Sequence, residues 1–145
     1  MTDPAVEELI DNFQFLDSWE DRFRYVIDLG RKLPPMDDRD KTAETKVDGC
    51  TSQVWIQAYS QVQNDSAAPK VLTFVADSDA HIVRGLIAVL LTIYSGHTAK
   101  DILAVEAKPL IAQMGFEQHL SPNRANGLYA MVARIRKLAA DSIAS

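Results

Sequence analysis

The chain has 145 residues, enough for one domain with a sizeable core and too few for two ordinary domains. Hydrophobic residues make up 47% and charged residues 24%, so the composition excludes a mainly disordered chain. The net charge of -5 argues against general nucleic-acid binding, because phosphates are collected by a basic face. We therefore expect a single domain over residues 1–145 that binds no nucleic acid.

The first two helices are predicted from apolar spacing. Val6, Leu9, Ile10 and Phe13 follow the i, i+3, i+4, i+7 pattern of an amphipathic helix. A second helix is expected to begin near Ser18, at a sequence that resembles a capping box, and to end before residues 34–35, which are both proline. Its predicted inner face consists of Trp19, Phe23, Val26 and Ile27.

The middle of the chain changes to a β-rich pattern. Strands are predicted around Val47, over residues 54–59 and over residues 71–75, with a hairpin loop at residues 63–69. Cys50 would then lie in a tight connection between the first two strands. We expect these three strands to form an antiparallel sheet.

Helices return after residue 76. Asp77 or Ser78 is predicted to cap a helix with Asp79 in its first turn, and residues 82–94 are apolar nearly all round, as in a buried central helix. Short helices are expected to begin near residue 98 and to cover residues 109–114, and a last helix should open at residues 121–122. The predicted buried face of that last helix consists of Leu128, Met131, Val132, Ile135, Leu138 and Ala139. The expected fold class is α+β, a three-stranded antiparallel sheet packed against helices.

Two features argue for a cytoplasmic protein without a membrane segment. The N-terminus has neither a basic region nor a long apolar region, so no signal peptide is expected. The longest stretch without Lys, Arg, Asp or Glu covers residues 85–99, too short to span a bilayer.

Cys50 is the one residue whose chemistry stands out. As the only cysteine it excludes an intramolecular disulfide and a cysteine-cluster metal site, and we expect no metal. Its neighbours are small and polar, which favours a reactive thiol, whereas a small buried hydrophobe is the alternative. The three histidines, at positions 81, 97 and 119, fit no metal pair on one helix turn. A Cys–His hydrolase stays open, because such partners meet in space.

Three blocks of sequence resemble one family. Residues 47–55 (VDGCTSQVW) are similar to the V-x-G-C-x-S-x-V-W signature of the SufE family of sulfur-acceptor proteins. Residues 77–88 (DSDAHIVRGLIA) resemble its S-D-A-x-I-x-[KR]-G-L-I-A helix, and residues 119–128 (HLSPNRANGL) resemble its L-[ST]-x-x-R-x-x-G-L helix start. The three blocks occur in the family's order, and the similarity covers nearly the whole chain.

The resemblance implies a SufE/IscU-like fold and a sulfur-transfer role. Such proteins take persulfide sulfur from a pyridoxal-phosphate-dependent cysteine desulfurase, stimulate that enzyme, and pass the sulfur to an iron–sulfur scaffold complex. Cys50 would be the acceptor, with Gly49, Asp79 and Arg124 near the partner, and no cofactor would be needed. The protein would be an accessory to the desulfurase and not a stand-alone enzyme.

The resemblance also implies that Cys50 is mostly buried in the free protein, where it would react slowly. Two other functions stay open: a cysteine-dependent hydrolase or thiol transferase for a small substrate, and a non-catalytic interaction module. The sequence also leaves open whether the chain forms a homodimer.

Overall fold

The computed structural model describes residues 4–50, 52–61 and 71–144. The helices in these ranges are α1 (Pro4–Phe15), α2 (Trp19–Arg31), α3 (His81–Tyr94), α4 (Ala99–Ala104), α5 (Ala107–Met114), α6 (Phe116–His119) and α7 (Pro122–Ala144). The strands are β1 (Val54–Gln61), β2 (Val71–Ser78) and β3 (His97–Thr98), and a 3-10 helix covers Asp38–Asp40. The α+β class is confirmed.

The sheet is antiparallel with the order β1-β2-β3, but its members differ from the prediction. The expected first strand is only an isolated bridge between Lys46 and Trp55, because the chain turns away at once through Gly49. The third strand is β3, a strand of two residues that follows the turn at Gly96. A strand this short shows no alternation of apolar and polar residues in the sequence. The predicted hairpin loop at residues 63–69 lies outside the described residues.

The N-terminal helices form where the spacing predicts them. α1 buries Val6, Leu9 and Phe13, and the Oγ of Ser18 caps α2 by accepting a hydrogen bond from the Asp21 backbone N–H at 3.1 Å. The prediction for the inner face of α2 is right only for Val26. Its other three members, Trp19, Phe23 and Ile27, are only partly buried, since α2 turns Val26 and Gly30 toward α3.

The crossing of α2 and α3 is unusually close because both helices have glycine there. A Cβ atom at Gly85 would lie 2.7 Å from the backbone carbonyl carbon of Val26, and one at Gly30 would lie 2.6 Å from the Gly85 nitrogen. Real Cβ atoms essentially never make contacts this short. The two backbones can therefore touch only while both positions lack a side chain.

The beginning of α3 differs from the predicted cap. The helix starts at His81 after Ala80, which makes no side-chain capping hydrogen bond, and no acidic residue lies in its first turn. Asp77 is instead the penultimate residue of β2, where it is buried and paired with Arg84 and, at 3.2 Å, with Lys41. Its carboxylate is thus used to join strand, helix and loop, and the hydrogen bond to Asp77 raises the pKa of Lys41.

The core lies around α3, which contacts α1, α2, α7 and β2. Its buried residues include Leu86, Ile87, Leu90 and Ile93, as the all-round apolar pattern predicts. The short helices α4 and α5 form as expected, and Gly115 ends α5 with a positive φ. No helix in the described ranges combines the length and hydropathy that crossing a membrane requires.

The C-terminal helix begins as predicted. The Oγ of Ser121 accepts a hydrogen bond from the Arg124 backbone N–H at 3.2 Å, and Pro122 is the first helical residue. Of the predicted inner face, Leu128, Met131, Ile135 and Ala139 are buried, while Val132 and Leu138 are partly buried. This helix forms one wall of the site described next.

Candidate functional site

Cys50 lies in the loop that leads into β1, and it packs against the first turns of α7. Its thiol donates a weak hydrogen bond to the Gly127 carbonyl, with 3.6 Å between sulfur and oxygen. A Cβ atom at Gly127 would also lie 3.6 Å from the sulfur, within ordinary van der Waals contact. The thiol therefore lies directly over the backbone of α7, with room for no more than a methyl group at position 127.

Gly49 sets the course of this loop. Its φ of 91° lies in the left-handed region, which glycine adopts far more readily than other residues. A Cβ atom there would be 3.3 Å from the Cβ of Ala130 on α7. Any larger residue would thus combine backbone strain with a tight contact, and both effects would disturb the position of Cys50.

Both ends of the loop are fixed by hydrogen bonds. On the N-terminal side the Val47 N–H donates to the Val54 carbonyl at 2.8 Å. On the C-terminal side the Gln53 N–H donates to Oδ1 of Asp79 at 3.0 Å, and the Asp79 N–H donates back to the Gln53 carbonyl at 3.3 Å. Asp79, expected in the first turn of α3, instead joins the loop to the chain just before that helix.

A cavity of about 190 Å³ opens beside the thiol. Its apolar wall comes from α3 and α7, and the rest from the loop and the start of α7: Cys50, Ser52, Val83, Leu86, Ser121, Asn123, Arg124, Gly127, Leu128 and Met131. Sites for drug-sized ligands and cofactors usually measure about 300–1,000 Å³. The cavity is therefore of a size for a few atoms.

Arg124 is the only charged residue among the described residues that line this cavity. Its Nη1 atom is buried and has no hydrogen-bond partner in the part of the chain that the structure describes. Buried guanidinium donors are normally paired, because leaving one unsatisfied costs free energy. Arg124 therefore places a cation at the wall of the cavity beside Cys50, with one donor that has no partner among the described residues.

Cys50, which was expected to be mostly buried, has intermediate burial in this structure. This burial raises the pKa of Cys50, and the negative charge of Asp48 raises it further. Both effects favour the protonated thiol over the thiolate, relative to an exposed cysteine.

We accordingly expect free Cys50 to react slowly with iodoacetamide near neutral pH, since the thiolate is the reacting form and its pKa is raised. The rate should continue to rise at pH values where an exposed model thiol is already fully ionised. Replacing Asp48 with asparagine should shift the dependence of the alkylation rate on pH toward lower pH, because it removes one cause of the raised pKa of Cys50. A profile identical to that of the model thiol would contradict this expectation.

The histidines lie away from the thiol. None of them lines the cavity: His81 is exposed at the start of α3, His97 is in β3, and the ring of His119 stacks on Trp19 with 3.8 Å between ring centroids. Within the described ranges no three His, Cys, Asp or Glu residues converge as metal ligands would. A Cys–His pair thus has no support from the described histidines.

Comparison with known proteins decides the family. The model of the SufE domain, described as an Fe–S metabolism associated domain, matches residues 7–139. The chain belongs to the SufE family. An uncharacterized SufE-like protein of Rhizobium meliloti (strain 1021) is 47% identical over 91% of this chain and 92% of its own. Another from Rhizobium etli is 47% identical over 92% of this chain and 88% of its own.

A solved structure has the same fold as this chain. The solution structure of a hypothetical protein from Thermus thermophilus aligns over 100% of both chains with a TM-score of 0.76 and 18% identity. At this identity the likeness concerns the fold alone. Family membership, by contrast, links the protein to Fe–S metabolism.

The structure brings together some of the predicted site residues and adds others. Cys50 and Arg124 share the cavity, Gly49 shapes the loop, and Asp79 holds the loop end without lining the cavity. Sequence reasoning did not single out Gly127, on which the thiol lies, although it belongs to the third matching block. The apolar wall from α3 was expected as core and not as part of a site.

Proposed function

We propose that this SufE-family protein is a sulfur acceptor that takes persulfide sulfur from a pyridoxal-phosphate-dependent cysteine desulfurase onto Cys50. It would stimulate the desulfurase by removing that sulfur, and it would then pass the sulfur to an iron–sulfur scaffold complex. The observation that supports this most is the placement of the chain's only cysteine at a small cavity, which is also lined by an arginine with a donor that has no partner among the described residues.

The transfer step balances without any added oxidant or reductant. The Cys50 thiolate attacks the outer sulfur of the desulfurase persulfide, and a new S–S bond forms to Cys50. The S–S bond in the donor breaks, and its cysteine leaves as a thiolate. One thiol therefore suffices, and pyridoxal phosphate is needed only in the partner that generates the persulfide.

The cavity suits the product of this step. A persulfide adds one sulfur atom to Cys50, and the space beside the thiol is sufficient for it. The apolar side chains Val83, Leu86 and Met131 would shield that sulfur from water and from cellular reductants. A persulfide is more acidic than a thiol, so it would be held as an anion.

Arg124 is the residue that fits this anion, because its Nη1 donor is buried without a partner among the described residues. We expect Arg124→Ala to reduce the rate of sulfur acceptance about 10- to 100-fold, the range for one charge-assisted hydrogen bond. Arg124→Lys should retain part of the rate, and Lys108→Ala, an exposed cation on α5, should retain all of it. Equal rates for wild type and Arg124→Ala would contradict this role.

The alternative functions have less support. A hydrolase needs a base and an oxyanion site beside its nucleophile, and no histidine is among the described residues that line the cavity. A purely structural cysteine would leave unexplained both the cavity and the Arg124 donor, which has no partner within the described ranges. These observations favour sulfur transfer over both alternatives.

The proposed partners follow from the reaction. A desulfurase would contact the surface around Gly49, Asp79 and Arg124, and its approach would move the loop outward. We place this exchange in the cytoplasm, where iron–sulfur assembly would use the sulfur.

The test is the rate at which a purified cysteine desulfurase consumes cysteine with and without this protein. Sulfur acceptance predicts a rate that rises with added protein and then saturates. A hydrolase or thiol transferase would instead act on small substrates without the desulfurase. An interaction module would bind the desulfurase and leave its rate unchanged, and either of these results would overturn the proposal.

A further inference from the structure

Residues 44–47, which precede the Cys50 loop, are hydrogen-bonded to β1 on one side and to α7 on the other. One edge faces β1, where the Ile56 N–H donates to the Thr45 carbonyl at 2.9 Å and the Val47 N–H donates to Val54. Residues 43–45 form a turn, in which the Lys46 N–H donates to the Thr42 carbonyl at 3.0 Å, and the carbonyls of Glu44 and Lys46 are met by α7 and not by β1. Within the described residues no strand pairs with the edge opposite β1.

The side chain of Arg134, on α7, forms hydrogen bonds with this segment on the side that faces away from β1. Its Nη2 donates to the Glu44 carbonyl, and its Nη1 donates to the Lys46 carbonyl at 3.3 Å. The planar guanidinium fork can reach two carbonyls at once, which an ammonium group on a lysine stem does less well. A single side chain thus satisfies two backbone acceptors within four residues of Asp48, where the loop begins.

The same face of α7 also supports the loop itself. Gly127, Ala130 and Arg134 are spaced by three and four residues, which places them on one side of a helix. Cys50 lies on Gly127, Gly49 lies against Ala130, and the preceding segment is bonded to Arg134. We call this face, Gly127–Ala130–Arg134, the loop seat.

We propose that Arg134 is a positioning residue that keeps the Cys50 loop on the loop seat, and so controls how often the thiol is accessible. The hydrogen bonds from Arg134 tie the segment to α7 shortly before Asp48, and from there the chain brings Cys50 over Gly127. When they break, the loop is held to α7 only by the weak hydrogen bond from Cys50 to Gly127 and the packing of Gly49 on Ala130, beside its bonds to β1 and Asp79. Only the consequence for sulfur transfer rests on the proposed function.

The test is the alkylation rate of Cys50 in the full-length protein, measured with iodoacetamide at one pH. Reaction of a transiently open state follows the population of that state. We expect Arg134→Ala to raise the rate about tenfold, since it removes two hydrogen bonds that each contribute modestly. Arg134→Lys should give a smaller rise. The control Lys137→Ala, an exposed residue of the same helix, should leave the rate unchanged.

A second measurement separates positioning from general loosening. Hydrogen exchange in Arg134→Ala should accelerate at the Val47 and Ile56 amides but not at the amides of α3, and the urea midpoint should change little. Unchanged alkylation in Arg134→Ala would overturn the proposal. If that variant does not fold, Arg134→Lys decides, and a wild-type rate in it would overturn the proposal as well.

The proposal and the proposed function can fail separately. The alkylation measurement contains no desulfurase, so faster alkylation would support the role of Arg134 even if Cys50 accepts no sulfur. Conversely, sulfur acceptance by the wild-type protein together with an unaltered alkylation rate in Arg134→Ala would support the proposed function and contradict the positioning role of Arg134.

Discussion

Replacing Cys50 with serine is expected to abolish stimulation of the desulfurase, so that the rate of cysteine consumption falls to that of the desulfurase alone. Serine is nearly isosteric and can also donate to the Gly127 carbonyl, so the loop should keep its place. A hydroxyl is almost never ionised at neutral pH, however, and it is a far weaker nucleophile toward sulfur than a thiolate. The measurement is the desulfurase rate at several concentrations of each variant.

The matched control is His81→Ala. His81 lies in the second matching block but is exposed and does not line the cavity, so this variant should stimulate as well as wild type. Circular dichroism should be the same for all three proteins. Full stimulation by a folded Cys50→Ser variant would contradict the sulfur-acceptor account.

Replacing Gly85 with alanine is expected to lower the free energy of unfolding by about 3 kcal/mol, at the upper end of the usual range for an overpacked core. The added Cβ would meet the backbone of Val26. A backbone cannot rotate away as a flexible side chain can, so α2 and α3 would have to separate. Urea denaturation monitored by circular dichroism measures the change.

Gly127→Ala is the control for the loss of glycine from a helix. Its Cβ would lie 3.6 Å from the nearest atom, in ordinary contact. Alanine is more favourable than glycine within a helix by about 1 kcal/mol, so this variant should be as stable as wild type or slightly more stable. Equal stability of Gly85→Ala and wild type would show that the helix crossing is less tight than the structure has it.

The helices could be predicted well because their signals are local. Ser18 and Ser121 cap helices that begin where the sequence places them, and the central helix follows from its apolar residues. The sheet could be predicted only in class and size. A strand of two residues is too short to show an alternation of apolar and polar residues. The bridge at Lys46 depends on pairing with β1, which no local sequence pattern indicates.

The capping prediction for α3 was wrong for a tertiary reason. Asp77 has the residue type of a cap, but the cations Arg84 and Lys41 meet its carboxylate from helix and loop. Pairing of this kind depends on elements that are distant in the sequence. The prediction had considered only the neighbours of Asp77 along the chain.

The candidate site was predictable in its nucleophile but not in its surroundings. Cys50 stands out as the only cysteine, and the matching blocks point to Arg124. The cavity and the contact with Gly127 arise only when α7 packs against the loop, and so does the burial of the Arg124 Nη1 atom away from any partner that the structure describes. Arg134 has no sequence signal of its own, because its partners are backbone carbonyls.

The most direct test of the account is to follow the sulfur atom itself. A desulfurase is supplied with cysteine radiolabelled on sulfur, mixed with this protein, and the protein is separated and digested under non-reducing conditions. The account predicts label on the peptide that contains Cys50, a mass increase of one sulfur atom there, and loss of both on treatment with a thiol reductant. Label that stays on the desulfurase, while its rate is nevertheless stimulated, would contradict the claim that Cys50 accepts the sulfur.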